Sequence, residues 1–245
     1  MTNKNLQAFA VMDYMKVVNR FQDKYVASEQ AWKPVHQARI EQEIITGWYL
    51  YKVHYAYDDN LYNYATINTY DNFQKLEDPY PRQIIENVHP DLGYDGFEDE
   101  TEASRVKMRS EMSVLASSAM GSKTMANPSK YLKVAFVQVD EKDKDAYVQM
   151  ESEVWKGAHQ NLIKDGVQDW WALYQLEFPH GSSVDYQFIT ISAVSEYINL
   201  EGLDYWGAYK NAHPNRNFDA DMARTLELRS AYRAELWELV DYLEK

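Results

Sequence analysis

Apolar and aromatic residues run through three stretches of the N-terminal half, "AVMDYMKVV" (10–18), "GWYLYKVHYA" (47–56) and "YNYATINTY" (62–70), broken by few polar positions, which predicts three strands. Between the first two, residues 20–44 take a helical period with Tyr25, Ser28, Trp32 and His36 on one stripe. A polar hairpin, "YDDN" (57–60), joins the second and third strands, and "DNFQKLE" (71–77) reads as a short helix. "NVHP" (87–90) reads as a helix end stopped by its proline, and residues 101–117 read as helical.

The C-terminal half gives the same reading. Strands are expected at "YLKVAFVQV" (131–139), "WWALYQLEF" (170–178) and "YQFITISAV" (186–194). A long helix covers 142–165, with Val148, Ser152, Trp155, His159 and Ile163 on its stripe. A turn, "PHGSS", a short helix, "SEYINLE", and a helix end, "NAHP", follow in order. Residues 219–244 read as helical from the spacing of Leu226, Ala231, Leu236, Leu239 and Leu243.

The two halves also share residues. Trp32, Lys33, His36 and Gln37 of "AWKPVHQ" match Trp155, Lys156, His159 and Gln160 of "VWKGAHQ" at an offset of 123. Trp48, Leu50 and Tyr51 match Trp171, Leu173 and Tyr174 at the same offset. Asn87, His89 and Pro90 match Asn211, His213 and Pro214 at 124, and Arg109 and Ser110 match Arg229 and Ser230 at 120. Four matches in one order, using rare residues, indicate a tandem duplication. The expected organisation is a first repeat over 1–120, a linker over 121–130 and a second repeat over 131–245.

Strand residues are apolar or aromatic on both alternating sets, Trp48 and Leu50 on one side and Tyr49, Tyr51 and Val53 on the other. Such strands belong to a sheet covered on both faces. Helices cover one face; a second sheet, related by a pseudo-two-fold axis, covers the other. The order strand, helix, strand, strand, helix begins a split βαβ unit. The fold class expected is therefore α+β, with two ferredoxin-like repeats forming a pseudo-dimeric α/β barrel, each with a C-terminal helical extension.

Composition narrows the function classes. With 45% hydrophobic and 26% charged residues, the chain has the make-up of a soluble globular protein. A net charge of −13 disfavours nucleic acid and anionic membrane surfaces as partners. The absence of cysteine removes disulfides, thiolate metal sites and cysteine nucleophiles. No signal-peptide pattern and no long apolar span is present, which suits either a cytoplasmic protein or the mature form of an exported one.

The "WKxxHQ" helix, the "GWYLY" strand and the paired ferredoxin-like order resemble the dimeric α/β-barrel superfamily, which includes the antibiotic-biosynthesis monooxygenase, EthD-like and NIPSNAP-like groups. More narrowly, helix segments like "EVWKGAHQ" and strands like "GWYLYKV" resemble an uncharacterised bacterial group, often exported. The likeness covers residues 10–80 and 131–200. It implies a small-molecule-binding barrel with, in catalytic members, cofactor-independent oxygenase or isomerase chemistry.

The candidate ligand-binding residues are Trp32, Lys33, His36, Gln37 and Trp48 in the first half and Trp155, Lys156, His159, Gln160 and Trp171 in the second. His36 and His159 are the candidate catalytic residues, because an imidazole accepts or donates a proton near neutrality. Lys33 and Gln37 sit at the stripe's edge, where a cation would meet an acidic ligand group or else form a surface ion pair. The competing expectation is a non-catalytic structural or interaction module in which these residues are core. No metal is expected, since no HExxH or similar spacing occurs, and no cofactor, since there is no GxGxxG, P-loop or GxSxG. The internal pseudo-dimer leaves further oligomerisation open.

Overall fold

A computed structural model of the chain describes residues 8–55, 61–121, 127–181, 183–201 and 203–245. The "YDDN" hairpin and half of the expected linker, residues 122–126, lie outside the described residues, as does Ser182 of "PHGSS".

The elements of the first half are β1 (Phe9–Lys16), α1 (Gln22–Glu41), β2 (Gly47–His54), β3 (Tyr64–Tyr70), α2 (Arg82–Val88), α3 (Gly93–Glu102) and β4 (Val106–Met120). Those of the second are β5 (Tyr131–Gln138), α4 (Lys144–Met150), a π-helical turn (Glu151–Trp155), α5 (Lys156–Lys164), β6 (Trp170–Phe178), β7 (Phe188–Val194), α6 (Tyr205–Ala212), α7 (Phe218–Leu228) and β8 (Ser230–Glu244). "DNFQKLE" and "SEYINLE" form single 3₁₀ turns. "NVHP" and "NAHP" end α2 and α6, with His89 and His213 as the C-cap residues. The strands hydrogen-bond in the order β1-β3-β2-β8-β5-β7-β6-β4, which closes as an antiparallel barrel.

The expected C-terminal helical extensions are corrected. Residues 106–120 and 230–244 are long strands, not helices. Glu111, Ser113, Ser117 and Ala119 are buried at alternate positions, which is a strand period. Leu132, Val134 and Phe136 of β5 pair with Trp237, Glu235 and Arg233 of β8. Ladder pairing thus overrides the helical preference of the Ala, Leu and Glu residues in these segments.

The chain divides into two compact units. One takes in the described residues up to Met112 together with Leu239–Lys245, and the other takes in Ser113–Glu238. In the first unit β3 pairs with β1 and β2, placing Asn68 opposite Trp48 and Tyr70 opposite Phe9. Trp48, Leu50, Tyr64 and Tyr70 then join Tyr25 and Ile40 of α1 in one apolar cluster. In the second unit β7 pairs with β5 and β6, placing Ser192 opposite Trp171. Trp171, Leu173 and Phe188 pack with Tyr147 of α4. In both units the candidate Trp and His side chains therefore sit in the layer between one helix and one sheet face.

The long helices of the two units end alike. After α1, Glu43 adopts a left-handed φ of 59°, its amide bonds to Ile40 O, and the Ile44 amide bonds to Arg39 O at 2.8 Å. After α5, Gly166 has φ 74°, its amide bonds to Ile163 O, and the Val167 amide bonds to Leu162 O at 3.1 Å. Both are Schellman turns, and they place Arg39 and Leu162 at the same position of the helix terminus.

Candidate functional site

In the first unit α1 buries Tyr25, Glu29, Trp32, Val35, His36, Arg39 and Ile40. The Trp32 indole Nε1 donates to Thr101 Oγ1 at 2.9 Å, and that hydroxyl donates to Phe97 O at 2.9 Å. His36 lies between two indoles, its ring centroid 5.7 Å from Trp32 and 4.8 Å from Trp48, both nearly parallel. Trp32, His36 and Trp48 thus form one stack, the grouping the periodicity implied.

Arg39 was not among the expected site residues. It is 0% exposed. Its Nη1 contacts His36 Nδ1 at 2.7 Å and Asn68 Oδ1 at 3.0 Å, its Nη2 contacts the Tyr70 hydroxyl at 3.3 Å, and its plane lies 3.9 Å over the Tyr80 ring. Among the described residues no carboxylate lies within ion-pair distance of it. Asp13, a buried carboxylate of the same layer, lies 3.8 Å from Lys107, and Glu29 lies 3.8 Å from Arg105. Arg39 Nε and Asn68 Nδ2 are buried with no hydrogen-bond partner.

These contacts fix the state of His36. A guanidinium has no acceptor, so Nδ1 must supply the lone pair and Nε2 carries the proton. Burial, and secondarily the adjacent Arg39 charge, hold the His36 pKa well below its ordinary value. The ring is a neutral donor at Nε2 rather than a proton acceptor.

The second unit repeats the frame with other contents. Trp155 Nε1 donates to Thr225 Oγ1 at 2.8 Å, and that hydroxyl donates to Asp221 O. The His159 ring lies flat on Trp171, 4.6 Å between centroids, with Tyr205 edge-on at 5.4 Å. Its Nδ1 is 3.0 Å from Gln168 Oε1, while Gln168 Nε2 donates to Trp170 O. That orientation of the amide makes Nδ1 the donor and leaves the lone pair on Nε2. Burial lowers the His159 pKa to about 4, with the Gln168 bond raising it slightly in opposition. Leu162 stands where Arg39 does, and Ser192 and Val194 stand where Asn68 and Tyr70 do relative to the strand tryptophan.

The other expected residues lie outside these stacks. Lys33 pairs with Asp241 at 2.5 Å and Gln37 Nε2 donates to Glu41 at 3.0 Å. Lys156 is half-buried and Gln160 exposed. His89 and His213 donate from Nε2 to the main-chain carbonyls of Ala31 and Val154, at 3.0 and 2.8 Å, and so tie the helix ends to the long helices. Gly157 makes room for the second of these, because a Cβ there would lie 3.0 Å from His213 Nε2.

Beyond Arg39, two buried glutamates escaped the periodic reading. Tyr25, Glu29 and Arg105 are grouped in the first unit, and Tyr147, Glu151 and Arg229 in the second. Burial raises both carboxyl pKa values against the opposing pull of the arginine, that of Glu151 to about 6. Glu29 precedes Trp32 by three residues and Glu151 precedes Trp155 by four; the π-helical turn absorbs the extra residue, so both tryptophans reach their threonines.

Two clefts lined by described residues lie in the second unit. One of about 790 Å³ is bordered by Gln138, Lys144, His180, Tyr186 and Arg229, and one of about 510 Å³ by Val148, Ser152 and Gln175. Neither is lined by His159, nor by the Trp32, His36, Trp48 and Arg39 group of the first unit. Among the described residues no group of three or more His, Asp or Glu is set to hold a metal ion, and no helix is long and apolar enough to cross a membrane.

No family model matches the chain, and no curated protein matches it in sequence. Solved structures match along nearly its whole length. A protein assigned as a monooxygenase from Fusobacterium nucleatum is 9% identical, with 99% of this chain and 96% of that chain covered and a TM-score of 0.59. A chlorite dismutase variant from Candidatus Nitrospira defluvii is 10% identical over 97% and 93% of the two chains, with a TM-score of 0.54. A heme-binding protein from Thermus thermophilus is 9% identical over 98% and 94%, with a TM-score of 0.53. At these identities the likeness is one of fold.

That fold holds heme in one of these proteins, and an axial imidazole ligand needs a nitrogen lone pair facing open space. In His36 the lone pair is occupied by Arg39. In His159 Nε2 is chemically suitable, but the ring is pressed between Trp171 and Tyr205 and neither cleft opens beside it. Neither of the two stacked imidazoles fits as an axial heme ligand.

Proposed function

We propose that this chain is a small-molecule-binding α/β-barrel protein built from two ferredoxin-like repeats, in which the first repeat holds the ligand and the second is scaffold. The strand orders β4-β1-β3-β2 and β8-β5-β7-β6 support the duplication, since each is the order of a split βαβ unit. So do the paired Trp–Thr bonds and the paired Schellman turns.

The observation that carries the ligand reading is Arg39. A fully buried guanidinium surrounded by neutral groups is costly, because desolvation of a charge amounts to several kcal/mol unless an opposite charge repays it. The matching position in the second unit is Leu162, which shows what the frame requires for packing alone. The hydrogen bonds to His36, Asn68 and Tyr70 offset part of the desolvation cost without supplying an opposite charge, and a bound anion would supply it. In the second unit, satisfied hydrogen bonds and close ring stacking around His159 favour the core reading.

The ligand site lies around Trp32, His36 and Trp48, with Arg39, Asn68 and Tyr80 added. His36 acts there as a hydrogen-bond donor. Oxygenase or isomerase chemistry would require a proton acceptor at the ligand, which this tautomer does not provide, so the reading is one of binding.

Native mass spectrometry of the protein purified from its own organism tests it. The expected result is a small-molecule mass lost on denaturation and absent from Arg39→Leu. A clean apo mass for the unmodified chain, or a mass retained by the variant, contradicts the reading; a co-purifying polypeptide would favour the interaction alternative.

A further inference from the structure

The hydrogen-bond inventory of the first unit identifies the chemistry of the bound group. Arg39 Nη1 spends both hydrogens, on His36 and Asn68. Nη2 spends one in a long contact to Tyr70, and Nε spends none. Nε and Nη2 share one edge of the planar guanidinium, and that edge matches the two oxygens of a carboxylate. Asn68 turns its oxygen to Arg39 and leaves Nδ2 buried without a partner. His36 adds a donor at Nε2 through the tautomer that Arg39 imposes. The atoms left without a partner, Arg39 Nε and Asn68 Nδ2, are both donors, beside a positive charge with no carboxylate in direct contact among the described residues.

Resting on the reading of the first unit as the ligand site, we propose that its ligand is a small carboxylate, held by the Nε edge of Arg39 and by Asn68 Nδ2. A neutral amide would bring its own N–H groups against donors and leave the guanidinium charge uncompensated. A carboxylate brings only acceptors and one negative charge, so it satisfies both deficits at once. The apolar walls given by Trp32, Trp48 and the Tyr80 ring favour a group whose remainder is hydrocarbon or aromatic. Tyr80, on the connection between β3 and α2, is half-buried and covers the fully buried Arg39 guanidinium, 3.9 Å from its ring centroid. The overall charge of −13 repels anions in general, and selection then rests on this one cationic edge.

The probes are formate and acetate against their neutral counterparts formamide and acetamide, followed by thermal melting of the full chain at constant ionic strength made up with sodium chloride. Ligands that bind only the folded state raise the melting temperature in a saturable way. The expected result is a saturable rise with formate and acetate and none with the amides. Arg39→Leu should weaken carboxylate binding by more than about tenfold, the loss of a charge-assisted bond. Arg39→Lys keeps the charge but lacks the planar edge and should behave similarly while folding normally, which covers the case of a leucine variant that folds poorly. Amides acting as well as carboxylates, or Arg39→Lys retaining full affinity, would overturn the carboxylate assignment and leave the ligand site standing. The assignment alone also fails if no probe acts but an Arg39-dependent mass is retained in native mass spectrometry. If no probe acts and the retained mass is indifferent to Arg39, or absent, the ligand site fails with it.

Discussion

His36 in the first unit and His159 in the second lie flat on a strand tryptophan, 4.8 and 4.6 Å between ring centroids, yet they are opposite tautomers. His159 donates from Nδ1 to a glutamine that is itself anchored to the main chain. His36 accepts at Nδ1 from a buried arginine. The frame around them is common to both units: a Trp–Thr bond, a Tyr–Glu–Arg group and a Schellman turn. What differs is the filling, in which Leu162, Ser192 and Val194 complete an ordinary core and Arg39, Asn68 and Tyr70 leave donors unspent. Elements shared by both units therefore report on the common frame, and elements present in one are where the proposed ligand reading can be tested.

Exchanging the residues at the helix ends should break the comparison most sharply. Leu162→Arg places an unpaired charge in a complete core and should cost more than about 4 kcal/mol by chemical denaturation. Arg39→Leu removes the buried charge but takes the donor from His36 Nδ1 and Asn68 Oδ1, so its cost should be well below that of Leu162→Arg in the ligand-free protein. A large destabilisation by Arg39→Leu would mean that the guanidinium is a structural brace.

Protonation gives the next largest effect. His159 has an ordinary pKa of 6.5 and is lowered by burial to about 4 in the folded chain, so the unfolded state binds protons more readily between these values. Its contribution is complete above pH 6.5 and is lost as pH falls through about 4, to a total on the order of 3 kcal/mol. Glu151 runs the other way: raised from 4.5 to about 6, its contribution is complete below pH 4.5 and is lost as pH rises through about 6. His159→Gln should therefore reduce the loss of stability on acidification between pH 6.5 and 4, a loss to which His36 also contributes and which Glu151 opposes, measured by denaturant midpoints. An unchanged pH profile would show that His159 is not held neutral by the core.

Smaller effects test the shared frame. Thr101→Val and Thr225→Val each strand a buried indole N–H and should cost about 1–3 kcal/mol apiece. Clearly unequal costs would show that the two frames are not equivalent. Lys33→Met breaks a partly exposed pair with Asp241 and should change stability by less than about 1 kcal/mol, with ligand binding unaffected.

The stacks were legible in the sequence because Trp and His are rare and recur with constant spacing. The strands were legible from their apolar and aromatic runs. Arg39 was not, although it lies seven residues beyond Trp32 and fourteen beyond Tyr25 and so falls on the apolar stripe. A charged residue is ordinarily assigned to solvent, and the same habit placed Ser28 rather than Glu29 inside. β4 and β8 were read as helices because Met, Leu, Ala and Glu favour helix and their alternation is weak, while the ladder that makes them strands depends on partners far away in sequence. The match of Arg109 with Arg229 misled in the same region: Arg229 is grouped with Glu151 as Arg105 is with Glu29, at an offset of 124.

The most direct test of the first unit as ligand site is a long-range ¹H–¹⁵N imidazole spectrum of the full chain at neutral pH, recorded with and without saturating formate. The expected spectrum has His36 protonated at Nε2 and shifted by formate, with His159 protonated at Nδ1 and unmoved. Matching tautomers in the two units, or a response confined to His159, would contradict the assignment of binding to the first unit and scaffold to the second.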